Sequence, residues 1–164
     1  MTADDIDMVD VYSCFPSAVQ IACQELGSDT TSPLTVTGGL TFAGGPLNNY
    51  VMHSIARMAQ LLRENPGKRG MITANGGYIT KHAFGIYSGE APETPFQHAE
   101  LQDQVDATLK REVVIGHEGK GEVEGYSVMY GPEGVTKAFV AARLDDGRRA
   151  WGISQDEALL QNMT

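Results

Sequence analysis

The sequence predicts an α/β fold in which a mixed sheet is covered by helices and followed by a small β-rich module. Three observations carry this. Short apolar runs alternate with helix-spaced segments over residues 8–87. The first runs end in small polar or glycine-rich residues, and beyond residue 90 the pattern changes to long strand-like stretches joined by hairpin signals.

The first run, MVDVY at residues 8–12, reads as a strand. Phe15, Val19, Ala22 and Leu26 then recur at helical spacing as far as Gly27, a natural residue for a left-handed helix stop. Ser13 is placed to cap this helix, and Pro16 falls in the first turn, where its missing N–H is harmless. Residues 34–37 (LTVT) read as a second strand that breaks into Gly38-Gly39 and Gly44-Gly45-Pro46. A helix with Met52, Ile55, Ala59 and Leu62 on one face follows and stops at Asn65-Pro66-Gly67. GMITA at 70–74 and AFGIY at 83–87 are two further strands, with residues 75–82 expected as the loop between them. Strands this apolar call for helices on at least one face.

The division falls near residue 90, at GEAPETP (89–95), giving modules 1–90 and 91–164. Charge supports it, since residues 1–88 carry 5 basic and 7 acidic side chains and residues 89–164 carry 7 and 14. In the second module residues 96–109 read as a polar helix. Residues 121–130, 135–144 and 148–153 read as strands of an antiparallel meander or barrel, turning at 131–134 and at Asp145-Asp146-Gly147. So few strands make a marginal core, and docking on something larger is expected.

A net charge of −9 argues against nucleic acid as a partner, because phosphate neutralisation needs a basic face. No run approaches the roughly 18 apolar residues of a membrane span, and residues 1–10 are acidic, unlike the start of a signal peptide. A cytoplasmic protein is the expectation. Cys14 and Cys23 have no metal-ligand spacing, so no metal site is expected.

Chemistry concentrates at the strand ends. Ser13 and Cys14 open a helix, where the partial positive charge favours a thiolate, or else Ser13 caps and Cys14 packs as a small hydrophobe. The glycines at 38–39 and 44–45 let backbone approach a ligand, and the helix after them offers unpaired N–H groups to an oxygen or phosphate. Asn75-Gly76-Gly77 either polarises a carbonyl or simply supplies left-handed turn residues. His82 either moves a proton near neutral pH or serves a structural role. Ligands of open α/β sheets bind at the carboxyl ends of strands, so these loops together suggest one site.

Taken in this order, the loops resemble the C-terminal half of the thiolase superfamily. The likeness is to bacterial thiolase-like proteins often labelled acetyl-CoA acetyltransferase and related to sterol-carrier-protein thiolases. Residues 7–15 (DMVDVYSCF) resemble the strand and helix start that carry Asn-Glu-Ala-Phe or His-Asp-Cys-Phe in that family. Gly38-Gly39 through Gly44-Gly45-Pro46 is similar to its Gly-Gly … Gly-His-Pro loop, and residues 73–77 fall at its Cys-x-Gly motif. The second module resembles the additional, OB-like C-terminal domain of this type, ending about a strand early. There are departures. Gly45 stands in place of the family's activating His, Ala74 or Asn75 in place of its second Cys, and Tyr12 in place of its Asn.

The resemblance implies an acyl-CoA thioester as substrate and no separate cofactor. It implies Ser13, Gly44, Gly45 and Gly76 as substrate-binding residues, and His82, Asn75 and Cys14 as catalytic candidates. It further implies that the nucleophile lies in an N-terminal half not contained in these residues, so the expected partner is that half or another copy. The expected function is part of an acyl-CoA acyltransferase, inactive alone. A carbon–carbon lyase acting on acyl-CoA, or a non-catalytic acyl-CoA-binding module, are the alternatives.

Overall fold

The computed structural model describes residues 1–164, which divide into two compact units, Met1–His98 and Ala99–Thr164. In the first unit β1 (Met8–Asp10) pairs in parallel with β2 (Arg69–Gly76), and β2 pairs antiparallel with β3 (Lys81–Ser88), giving the order β1-β2-β3. Helices α1 (Pro16–Leu26), α2 (Gly39–Ala43) and α3 (Tyr50–Glu64) lie between β1 and β2 in sequence.

Helix α1 follows the expectation at its end, where Gly27 adopts φ 66° and its N–H caps the carbonyls of Cys23 and Gln24. Its start differs. Phe15 occupies the cap position without a side-chain bond, Pro16 begins the helix, and the Ser13 hydroxyl is used elsewhere.

The expected second strand at 34–37 does not form, although the Val11 N–H does reach the Leu34 carbonyl at 2.9 Å. The cause is a competing acceptor. The Asp10 carboxylate takes the N–H groups of Val36 at 3.0 Å and Thr37 at 3.1 Å, donors that a ladder would have used. Nor does the glycine loop open α3 directly. It contains α2 and a 3-10 turn over Leu47–Asn49, which move the α3 N-terminus away from the glycines.

The buried line of α3 is Tyr50, Ser54, Met58 and Leu62, one residue every four. The expected stripe was rotated from this, and its first member, Met52, is exposed. Tyr50 and Ser54 count as polar in any pattern, yet they turn inward because Asp10 accepts from both. Met58, Leu62 and Ile72 form the core, with Met8, Val36, Val51, Ile55 and Tyr87 packed against them. Asn75 and His82, expected in a loop, are strand residues directly paired in the β2–β3 register. The hairpin turn is correspondingly tight.

The second unit contains α4 (Gln102–Asp106), β4 (Val113–Val114), β5 (Glu122–Gly131), β6 (Gly134–Arg143), β7 (Arg149–Ser154) and α5 (Glu157–Asn162). The β5–β6–β7 meander is as expected, with irregular register at Val123/Gly125 and at Met129/Tyr130. Strand β4 adds in parallel to β7, so the sheet is open, in the order β4-β7-β6-β5. The helix expected over 96–109 shrinks to five residues because it buries none of them, and a helix without a buried face gains little from packing. Helix α5 was not expected. The Asp156 side chain caps it by accepting from the Leu159 N–H at 2.8 Å, and Leu160 is buried. No helix of the chain is long and apolar enough to cross a membrane.

Candidate functional site

The carboxyl end of β1 delivers Asp10 into the first unit with no solvent exposure. A buried carboxylate must be compensated by donors, and five surround it. Oδ2 accepts from the N–H of Val36 and of Thr37 and from Thr37 Oγ1 at 2.9 Å, while Oδ1 accepts from Tyr50 Oη and Ser54 Oγ, each at 2.8 Å. Thr37 Oγ1 and Tyr50 Oη are also 2.8 Å apart. Two hydroxyl protons therefore serve three contacts, and one proton is shared between its partners. Thr37 Oγ1 accepts in turn from the Gly39 N–H at 3.1 Å. The carboxylate thus fixes the start of the glycine loop through one hydroxyl.

Ser13 fixes it from the other side. Its Oγ accepts from the Leu40 N–H at 3.3 Å, and a Cβ at Gly39 would lie 3.2 Å from that oxygen in a residue with φ +71°. The angle favours glycine there, and a Cβ would also crowd the Ser13 hydroxyl. Tyr12 links the same cluster to the sheet. Its N–H donates to Thr73 Oγ1 at 2.9 Å, and its ring stands edge-on to Tyr50 at 5.1 Å. Gly44 and Gly45 are solvent-exposed at the end of α2, and the nearest atom to a Cβ built on Gly45 would be Leu40 Cδ2 at 3.8 Å. Position 45 therefore has room for a side chain.

Cys14 lies beside Ser13, exposed, with its thiol pKa pushed above 9.0 by desolvation, which outweighs the backbone N–H groups of Cys14 and Phe15. The thiolate expected at this helix start is thus disfavoured. Alkylation of Cys14 by iodoacetamide is expected to be slower at pH 7.5 than that of a model thiol, with a rate that still climbs above pH 9. A Cys23→Ser variant followed by peptide mass spectrometry isolates the signal.

Tyr50 titrates upward from 10.0, first because burial penalises the phenolate and also because Asp10 is adjacent. The sign follows from linkage. The folded state holds this proton more tightly than the unfolded one, so its contribution is complete below pH 10 and is lost as pH rises through the higher folded value. Denaturant midpoints of the first unit are expected to fall from pH 9.5 to 11, and Tyr50→Phe to flatten that decline. An unchanged slope in the variant would assign the decline to other groups.

Asn75 and His82 belong to a second feature of this unit. A cavity of about 350 Å³ lies between α1 and the β2–β3 hairpin, lined by Ala18, Ile21 and Leu26 on one side and by Met71, Thr73 and Phe84 on the other, with Tyr12, Asn75 and His82 among its walls. The Asn75 Oδ1 and Nδ2 are both buried with no hydrogen-bond partner. His82 is exposed, its Nε2 3.0 Å from the Ile79 carbonyl and its ring stacked on Phe84 at 6.3 Å. Ile79 itself holds φ +63°, an unusual angle for a β-branched residue.

The sequence candidates therefore divide. Asn75 and His82 meet at the cavity. Ser13 joins the glycine loop, Cys14 is next to it in the chain, and Gly44 and Gly45 end that loop's short helix. Gly76 pairs with Lys81 in the hairpin. The residue missed by sequence reasoning is Asp10, a lone carboxylate within an apolar strand, which is a composition that buried sites rarely tolerate without partners.

Comparison with known proteins gives these features a context. Residues 100–164 match the family model of the thiolase-like protein type 1 additional C-terminal domain. The whole chain superposes with a TM-score of 0.87 and 38% identity on the crystal structure of a monomeric SCP2-thiolase-like protein type 1 from Mycobacterium smegmatis, covering 100% of this chain and 37% of that one. No curated protein matches it. The two matches identify a thiolase-like protein with an additional C-terminal domain. The chain spans 37% of the length of its solved relative.

Proposed function

We propose that this chain is the C-terminal part of an acyl-CoA-handling protein of the acyltransferase class, of the acetyl-CoA acetyltransferase type, and that it turns over substrate only together with further thiolase-like polypeptide. The single observation carrying this reading is the Asp10-centred clamp. It ties the Tyr12–Cys14 segment to the glycine loop through Thr37 Oγ1, with Ser13 closing the other side. In this reading Ser13, Gly44 and Gly45 form one wall against the thioester, and backbone near the exposed glycines meets its oxygen. Cys14 sits close by, and desolvation raises its thiol pKa, which disfavours the thiolate that a nucleophile needs. That favours binding over chemistry for the isolated chain. Gly76, Asn75 and His82 fall on the hairpin side.

Two measurements test this. The purified chain is expected to show no acetoacetyl-CoA thiolysis, and measurable turnover would overturn its dependence on further polypeptide. Titration calorimetry with acetyl-CoA is expected to show binding that Gly45→Leu weakens about tenfold by filling the open position. Equal affinity in the two proteins would remove the glycine wall from the site.

A further inference from the structure

The two faces of the second-unit sheet are unequally covered. Helix α5 lies against β6, and on that face Ala138, Ala150 and Leu160 are buried. The opposite face is open. Strand alternation and register set three rows across it, Gly125 with Ala141 and Trp151, then Ser127 with Phe139 and Ile153, then Met129 with Lys137. Trp151 is 62% exposed, Ile153 68% and Met129 45%, and nothing lies within 4 Å of a Cβ built on Gly125. This face is also cationic. Lys137, Arg143 and Arg149 project from it and Arg111 reaches onto it, answered by Glu122 and Glu124, in a unit that carries 7 basic and 12 acidic side chains. Arg111 and Arg149 share the single carboxylate of Glu124, at 2.9 and 2.7 Å, and the Lys137 ammonium stands 5.3 Å from the centre of the Phe139 ring.

The same unit contains a segment of opposite character. Residues 99–109 (AELQDQVDATL) hold three acids and no base, and Leu101, Val105 and Leu109 recur at every fourth position, a helical stripe. Only Gln102–Asp106 is helical, and the stripe is bare, with Leu101 48% exposed, Val105 54% and Leu109 102%. The far end of this segment is already fixed beside the open face. The Glu112 carbonyl accepts from the Arg149 N–H at 2.9 Å, and Arg111 holds Glu124. Dimensions agree as well. Helical residues four apart stand about 6 Å apart along the axis and successive rows on a strand face about 6.8 Å, while three strands at about 4.8 Å spacing match the roughly 10 Å width of one helix. Because β4 runs parallel to β7, a helix turning back before it runs antiparallel to β7. That order sets Leu109 at the Trp151 row, Val105 at the Phe139 and Ile153 row, and Leu101 at Met129, with Glu100 toward Lys137. The helix C-terminus, which carries a partial negative charge, then lies among Arg111, Arg143 and Arg149.

We propose that residues 99–109 are a strap that closes over the β5–β6–β7 face as one continuous helix, and that the arrangement with this face bare is its open state. The occupant is the chain's own segment and not a second copy, on two grounds beyond charge. The short tether through Lys110–Glu112 keeps the segment at high local concentration, and the solved relative that the whole chain matches is monomeric. Burying three apolar side chains against Trp151, Ile153 and Phe139 opposes the cost of ordering the residues on either side of α4, and these terms are of similar size. Open and closed forms therefore exchange, and the strap decides whether the Trp151 face is free for anything else. None of this depends on the acyl-CoA reading above.

The test uses the whole chain, whose single Trp is Trp151. At low salt, acrylamide quenching of Trp151 is expected to be about threefold weaker in the unmodified chain than in Val105→Asp, a change at an exposed position that keeps the stripe off the sheet. Raising NaCl to 0.5 M is expected to remove about half of that protection, because the charges involved are exposed. A second measurement fixes the contact. In a Cys14→Ser background, Val105→Cys combined with Ile153→Cys is expected to form a disulfide within one molecule on mild oxidation with diamide. Val105→Cys combined with Tyr126→Cys, on the face that α5 covers, is expected to react at least about tenfold more slowly. Equal quenching in the unmodified chain and Val105→Asp, or equal rates for the two cysteine pairs, overturns the strap. Protection indifferent to salt overturns the charge pairing by which the occupant was chosen. Protection or cross-linking confined to a dimer in light scattering assigns the face to a second copy, and this too overturns the proposal.

Discussion

Replacing Asp10 with alanine is expected to unfold the first unit or bring it to the edge of unfolding. Five donors would lose their acceptor, among them the hydroxyls of Tyr50 and Ser54, which have no solvent exposure. Hydrogen bonds to a charged group are worth about 1.5–3 kcal/mol each and are not additive within a cluster, so a loss of about 4 kcal/mol is the expectation. That is most of the stability of a small unit, which commonly lies near 5–15 kcal/mol. The chain contains its own control. Its single Trp, Trp151, lies in β7 of the second unit, so its fluorescence reports that unit. Urea unfolding followed by circular dichroism is expected to lose its first-unit component, while the Trp151 transition keeps its midpoint. Asp10→Asn retains the shape but turns an acceptor into a donor facing N–H and O–H groups, and about 3 kcal/mol of the loss should remain. A midpoint unchanged in either variant would show that the cluster is not what holds the glycine loop.

The second large effect concerns a contact between helix and sheet. Met58 is fully buried, and a Cβ built on Gly70 would come within 2.2 Å of its sulfur. The thioether therefore occupies the space that any larger residue at position 70 would need. Met58→Ala is expected to cost about 3 kcal/mol through the cavity it leaves, and Gly70→Ala about 2 kcal/mol through overpacking against a side chain that must shift. Combined, the two should cost at least about 1 kcal/mol less than their sum, because the new methyl moves into the space the thioether vacates. Strict additivity in thermal unfolding would place the clash elsewhere.

The strands and helices that were legible are those bounded by local signals. Gly27 stops α1, Asn65-Pro66-Gly67 stops α3, and Gly131–Gly134 and Asp145-Asp146-Gly147 turn the second-unit strands. Helix α5 was missed despite its local Asp156 cap, but the other principal misses depend on groups distant in sequence. The strand expected at 34–37 gave its N–H groups to a carboxylate 26 and 27 residues earlier. The inward face of α3 was misplaced because Tyr50 and Ser54 look polar until Asp10 is placed opposite them. Strand β4 has two residues, too few to show a period, and exists by pairing with β7 some 36 positions away, as in Val113↔Arg149. At the candidate site, Ser13 and the glycines were recognisable by residue type. The separation of Asn75 and His82 from them follows from strand register, since both project to the face that α1 overlies. Alternation along β2 could have signalled it, because Asn75 falls in step with Met71 and Thr73.

The contacts of Asp10 also bear on the order of folding. They span 26 to 44 residues of sequence. Closing loops of that size precedes any gain from the bonds, and non-local contacts slow folding. Helix α3 and the residues before α2 are therefore expected to reach their final geometry late, once the Asp10 carboxylate stands between them. The glycine segment is expected to be a late product of assembly, since the contacts that shape it come from a distant carboxylate. In pulsed hydrogen exchange the Val36 and Thr37 amides should gain protection in the same phase as the α3 core, and after the β2–β3 hairpin. A grafted copy of residues 35–46, cut off from the distant acid that shapes it, would not keep the conformation it has here.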